Sequence, residues 1–337
     1  MTGKRMQILL ALAGVIVFYV LVKAAAFAGL LNPYWQRVLD QSLIVTIGAM
    51  GLSIIYGFTG LFSIGHAAFV GLGAYCAGLI SKTWWEGGVW SFLIAIVAGA
   101  LFAGLLSYLI GMPVLRLRSD YLGIATLGFG IIVKVALDNA NKLIPDLGGA
   151  TGMTGVPQVA NFDWIFVFVL LAIVLCRNFV HSTYGRACTS IREDEVAAEA
   201  AGVNTAKYRL VAFVFGCTLA GLAGGLYAHR YPFLHPTNFD FLASIDYLII
   251  VVLGGLGSLT GTLVTAIGWV FLLEGLRFVL GEQFLDFRGV IYALILIITI
   301  LVRRQGIFGG KEFGPFAPGR MEGGVAGAAA GNHKSLR

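Results

Sequence analysis

Charge is scarce in this sequence: only 12% of its 337 residues are Asp, Glu, Lys or Arg. A water-soluble domain of that length carries about twice this fraction, so a soluble globular protein is excluded. Cysteine is scarce too. The four present (Cys76, Cys176, Cys188 and Cys217) show no CxxC spacing, sit in or beside apolar runs and read as buried, inert thiols. No GxxxxGK[ST] occurs, so the chain cannot cradle ATP phosphates in the P-loop manner. Gly255 and Gly257 begin a dinucleotide-like pattern, but position 260 is Thr and no strand precedes it. No second His or carboxylate lies at metal-ligand spacing from His66, and no nucleophile cluster converges. Neither a catalytic site, a cofactor nor a metal is expected.

What remains is apolar. Hydrophobic residues make up 58% of the chain, and mean hydropathy is +0.87. A bilayer span needs about 20 apolar residues, which places helices near 8–30, 39–57, 61–81, 90–112, 121–138, 161–180, 207–230, 243–256, 260–280 and 287–302. The fold class expected is an all-α transmembrane bundle of about ten spans, with both termini cytoplasmic. Lys4 and Arg5, the run Ile8–Val22 and Ala24-Ala25-Ala26 have the order of a signal peptide. The apolar stretch nevertheless continues to Leu31, and an uncleaved first helix is the reading adopted.

The formal charge of +6 does not point to nucleic acid, because the basic residues fall in short segments between apolar runs. Ten spans put Lys4, Arg5, Arg116, Arg118, Arg186, Arg192, Lys207, Arg209, Arg303 and Arg304 on one side. The other side receives thinner basic contributions: Arg37, Lys82 and Lys142. That is the asymmetry expected of a cytoplasmic and an outer face. Residues 1–305 then form one membrane domain, and the Gly/Ala-rich 306–337 a flexible cytoplasmic tail.

Two loops stand out. Segment 139–160 holds Pro145, Gly148, Gly149, Gly152, Gly155 and Pro157, so it is irregular. Segment 181–209 is the long charged loop. Within it, Ser190 to Gly202 is expected to form one helix, with Ser190 and Glu193 as a capping box, acidic residues in the first turn and Gly202 as the left-handed stop. A second helix starts near Asn204 or Thr205. An alanine-lined helix between two spans suits the groove of a cytoplasmic motor; a solvated interfacial linker is the plain alternative.

Tyr184-Gly185-Arg186-Ala187, then Arg192-Glu193-Asp194-Glu195 and Ala197-Ala198-Glu199-Ala200-Ala201-Gly202, resemble the coupling region of branched-chain amino acid importer permeases, M-type subunit. Further matches are Tyr56 to Phe69, Phe213 with Ala220 to Ala228, and Gly254 to Gly261, so the resemblance covers most of 40–305. It implies the membrane subunit of an ATP-binding cassette importer in the bacterial inner membrane. The implied partners are a second, homologous permease, two cytoplasmic ATPase subunits and a periplasmic substrate-binding protein. It also implies that Arg192, Glu193, Asp194, Glu195, Ala197, Ala198, Glu199, Ala201 and Gly202 couple to the ATPase. The permease motif of Glu-Ala-Ala, three residues, then Gly is met only loosely, since Val196 follows Glu195. Closely similar permeases import urea and short amides, which keeps the substrate open.

Glycine is abundant, at 46 residues. The GxxxG pairs Gly221/Gly225 and Gly257/Gly261, and the ridge Gly216, Ala220, Gly224, read as helix-packing contacts. Gly57, Gly60, Gly65, Gly71 and Gly73 lie close enough to break a helix at membrane depth, where irregular backbone is tolerated only in protein or beside a cavity. Tyr56, Thr59, Ser63 and His66 are therefore candidates to border a translocation path, although a buried, hydrogen-bonded histidine is the simpler reading of His66. A proton-coupled secondary transporter is the rival; it needs a titratable pair, and Asp120, Asp138, Asp246 and Glu274 are too scattered in sequence to trace one.

Overall fold

The computed structural model describes residues 32–83, 88–117 and 119–280, with 14–29 and 290–308 in part. Lys4, Arg5 and residues 309–337 of the expected tail lie outside the described residues, as does most of the expected span at 287–302.

A short helix α1 (Ile16–Ala26) precedes α2 (Pro33–Leu52), which starts at the Asn32 cap and Pro33 and runs into a π-helical turn, Ser53–Phe58. Next come α3 (His66–Thr83), α4 (Val89–Val114) and α5 (Ser119–Asp138). The expected irregular loop is three 3-10 turns and a two-residue strand β1 (Met153–Thr154). Helix α6 (Phe162–His181) leads to α7 (Thr183–Glu193), α8 (Glu195–Ala200) and α9 (Thr205–Arg230). Strand β2 (Phe233–Leu234) pairs antiparallel with β1, and α10 (Phe241–Gly254) and α11 (Leu259–Leu280) follow.

The chain is a multi-pass all-α membrane protein. Seven helices among the described residues are long and apolar enough to cross a bilayer. Helix α3 adds an 18-residue segment buried among them.

Small residues decide the packing. On α4, Ser91, Ala95, Gly99, Ala103, Ser107 and Gly111 recur every fourth position and are all buried. That spacing makes one ridge along a helix, and it lies against α3 and α9. The opposite face, with Leu101, Leu105 and Leu109, is exposed, as a lipid-facing surface must be. Helix α9 sits in the middle, packed on α2, α3 and α4. A methyl group added at Gly216 would meet the Gly51 carbonyl, one at Gly221 the Ala103 side chain, and one at Gly224 the Val70 carbonyl. Lipid gives helices no hydrophobic drive to associate, so backbone contact of this kind carries the packing. Of the glycines expected to act this way, Gly216, Gly221, Gly224, Gly225 and Gly261 face a neighbouring helix closely, whereas Gly257 faces Arg192.

Connections gather at two ends. One holds the π turn, α7, α8 and the turn at 255–258, with Arg116 and Arg209 lining one hollow. The opposite end holds the β1–β2 pair and two ion pairs, Lys82–Asp146 at 3.0 Å and Arg230–Asp40 at 2.7 Å. Asp40 is only 4% exposed; a carboxylate so buried is tolerated because the guanidinium faces it.

Candidate functional site

The charged loop is two helices. Asp194, not Ser190, is the cap: its backbone is extended (φ −157°, ψ 111°) and its side chain accepts from the Ala197 N–H at 3.0 Å. Ser190 lies inside α7, and its hydroxyl turns back to the Ala187 carbonyl at 2.8 Å. The expected single helix from 190 with a Ser190–Glu193 box is thus corrected. A carboxylate at Asp194 starts a fresh helix, while Ser182, accepting from Tyr184 and Gly185, starts the earlier one.

The far end is as expected. Gly202 is left-handed (φ +85°), and its N–H reaches Glu199 at 2.9 Å while Val203 reaches Ala198 at 3.0 Å. This is the paired closing bond of a glycine-terminated helix. Asn204 then caps α9 by accepting from Lys207 at 3.0 Å.

Only one face of α8 is free. Glu195 binds Arg209 at 2.5 Å and Glu199 accepts from Thr205 at 2.7 Å, so both carboxylates are held on the chain's own α9. Ala198 is buried at 5% exposure, whereas Val196 is 77% exposed and Ala197, Ala200 and Ala201 are exposed with it. The surface offered is small and apolar.

Arg192, at the end of α7, crosses to the membrane helices. Its Nη1 donates to the Gly57 carbonyl at 2.5 Å, and its Nη2 meets Glu193 at 2.6 Å. Three glycines make room. A Cβ at Gly60 (φ +76°) would lie 3.1 Å from the arginine Cγ, one at Gly257 (φ +81°) 2.6 Å from Nη1, and one at Gly57 3.0 Å from the Gly257 nitrogen. Cys188, on the same helix, is fully buried, and burial pushes its thiol up from the ordinary value.

After Phe58 the chain leaves helical geometry. After the π turn, residues 59–65 have no regular structure until His66 opens α3. Irregular backbone at this depth survives because protein surrounds it: Thr59, Leu61, Ser63 and Gly65 are all buried. The Ile64 N–H finds the Thr126 hydroxyl at 3.1 Å, and Gly65 packs on the Thr126 carbonyl.

The structure places the four path candidates on this broken segment or beside it. Tyr56 is half-buried, edge-on to Phe62 with centroids 5.5 Å apart. Thr59 donates to the Ile54 carbonyl at 2.9 Å. The Ser63 hydroxyl is buried without a partner. His66 is 0% exposed; its Nε2 donates to the Gly48 carbonyl at 2.8 Å and its Nδ1 is unpartnered. None opens to solvent in this conformation apart from part of Tyr56.

The carboxylates divide between two clefts. Asp246 and Glu274 line one of about 240 Å³ between α2, α3, α10 and α11, where Glu274 accepts from Tyr34 at 2.6 Å. Asp138 lines another, between α5 and α10, with Lys134, a residue the sequence reading passed over. No group of three or more His, Cys, Asp or Glu poised to hold a metal occurs among the described residues.

Residues 34–300 match the family described as the permease component of branched-chain amino acid transport systems. The chain is 30% identical over 321 residues to the high-affinity branched-chain amino acid transport system permease protein LivM of Escherichia coli, covering 85% of this chain and 73% of that one. It is 26% identical over 289 residues to LivH of Salmonella typhimurium, covering 78% and 91%. It is 27% identical over 288 residues to BraD of Pseudomonas aeruginosa, also covering 78% and 91%. No solved structure gives a significant match.

Proposed function

Because this chain belongs to the branched-chain amino acid transport permease family, we propose that it is a membrane subunit of an ATP-driven importer of branched-chain amino acids in the bacterial inner membrane. It works beside a second, similar permease. Two cytoplasmic ATPase subunits drive the pair, and a periplasmic protein delivers substrate.

The observation that carries this reading is the Arg192 contact. A helix pair with a free alanine face lies at one end, and its arginine grips the point where a membrane helix breaks. Movement of an ATPase against Val196, Ala197 and Ala200 shifts α7 and α8 as a unit. Arg192 transmits that shift to Gly57, and the irregular segment 59–65 changes course without breaking a helical ladder. The end bearing α7 and α8 is then cytoplasmic, in keeping with its arginines.

Bonds of Glu195 and Glu199 to α9 support the same reading, since they keep α8 rigidly attached to the span it must move. The test is uptake by the reconstituted complex. Leucine uptake that requires ATP on the α7–α8 side supports the reading. ATP-dependent uptake of urea or a short amide alone replaces the substrate and keeps the mechanism.

A further inference from the structure

Lys134 stands one turn before the end of α5, in a run that is otherwise apolar from Gly128 to Leu137. It has no hydrogen bond or ion pair among the described residues. A lysine in a span is costly in lipid, and such residues face a cavity or a partner. Here there is a cavity: Lys134 lines a cleft of about 290 Å³ between α5 and α10.

The chemistry of that cleft is two-signed. Asp138 and Asp240 line it with Lys134, and Leu127, Ile131 and Phe241 supply apolar wall. Asp240 spends Oδ1 on the N–H groups of Leu242 and Ala243, at 3.0 and 3.3 Å. Its Oδ2 has no partner among the described residues. A free amino acid with an aliphatic side chain carries the complementary set: one carboxylate, one ammonium and a small apolar body. The neighbouring cleft that holds Asp246 and Glu274 has carboxylates but no cation among its lining residues. The volume falls near the lower limit for small-molecule sites, which suits a substrate of this size.

Position adds a second argument. Ile64 lines the cleft, and Gly130 beside it meets Gly65. Both Ile64 and Gly65 belong to the irregular segment that follows the π turn held by Arg192 at Gly57. Along α5 the cleft extends from Leu127 to Asp138, about 16 Å at 1.5 Å per residue. It therefore runs from the broken segment toward the end opposite α7 and α8. Displacement of 59–65 changes the floor of the cleft.

We propose that the α5–α10 cleft holds the amino-acid zwitterion in transit, with Lys134 taking the α-carboxylate, Asp138 and Asp240 facing the α-ammonium, and Ile131, Leu127 and Phe241 lining the side chain. The proposal rests on the importer reading above and names the residues that meet its substrate.

Lys134→Met and Lys134→Arg separate the possibilities in the whole complex, reconstituted in vesicles with saturating leucine-loaded binding protein so that delivery is constant. Uptake of labelled leucine, ATP hydrolysis and thermal melting are read together. The expected result is at least ten-fold less uptake per ATP for Lys134→Met, unchanged melting, and recovery of most uptake in Lys134→Arg. Wild-type uptake in Lys134→Met overturns the cleft assignment and leaves the importer reading intact. Joint loss of melting temperature and uptake also overturns it, by making Lys134 a structural residue. Absence of ATP-dependent leucine uptake in the wild type sinks the importer reading itself.

Discussion

The Arg192 guanidinium donates to the Gly57 carbonyl at 2.5 Å, 135 residues away in sequence, and so joins the end of α7 to the π turn that closes α2. Carbonyls in a π turn are displaced from the regular ladder, so a charged donor finds an acceptor there. Arg192→Ala removes that link without touching the free face of α8. A hydrogen bond to a charged group contributes about 1.5–3 kcal/mol, so uptake per ATP is expected to fall by ten-fold or more. ATPase association and basal hydrolysis persist. Parallel measurement of hydrolysis and uptake checks it: both falling together would place Arg192 in folding or docking instead.

The alanines of α8 separate into two classes. Ala197 and Ala200 are exposed, so Ala200→Trp is expected to abolish co-purification of the ATPase while membrane insertion and melting stay normal. Ala198 is buried, and Ala198→Trp overpacks the chain's own interior at a cost of about 1–3 kcal/mol. Co-purification and melting of the two variants distinguish the classes.

Gly224 and Gly202 make a similar contrast in the membrane domain. A side chain at Gly224 meets the Val70 carbonyl, so Gly224→Leu is expected to prevent stable accumulation. Gly202 has open space around it but a left-handed backbone. Gly202→Ala therefore costs about 1–2 kcal/mol of local helix-end stability and lowers the melting temperature by a few degrees at most.

Cys188, Cys176 and Cys217 are each 0% exposed. For Cys188, outside the spans, burial also raises the thiol's pKa from its ordinary value, which keeps the unreactive protonated form at neutral pH. Water-soluble maleimide is expected to leave all three unmodified in the folded protein and to label them after denaturation. In contrast, Ala200→Cys is expected to label readily, and to be protected when the ATPase is bound.

Much of this was legible in the sequence. Apolar runs located the seven described helices that are long and apolar enough to cross a bilayer, since a bilayer requires length and apolarity that few other structures need. Gly202 and Asn204 marked their helix ends by chemistry local to a few residues. The break at 59–65 was readable from glycine density, although Gly71 and Gly73 lie inside the unbroken α3. Ser190 misled because a Ser three residues before a Glu satisfies the capping pattern anywhere. Asp194 won because its carboxylate bonds Ala197 at the start of a new helix, which the sequence pattern alone does not rank. The Arg192–Gly57 contact and the Asp40–Arg230 pair span 135 and 190 residues, and no local pattern carries such information. Lys134 is a mixed case: Asp138 lies one turn along the same helix and is readable from spacing, whereas Asp240 joins the pair only once α5 and α10 are packed.

The most direct test is labelled leucine uptake into vesicles holding the whole complex, with ATP supplied only on the α7–α8 side. The account predicts uptake that requires ATP, stops when Arg192 is replaced by Ala, and does not respond to an imposed proton gradient. Leucine uptake driven by a proton gradient without ATP would contradict it and turn attention to Asp246 and Glu274.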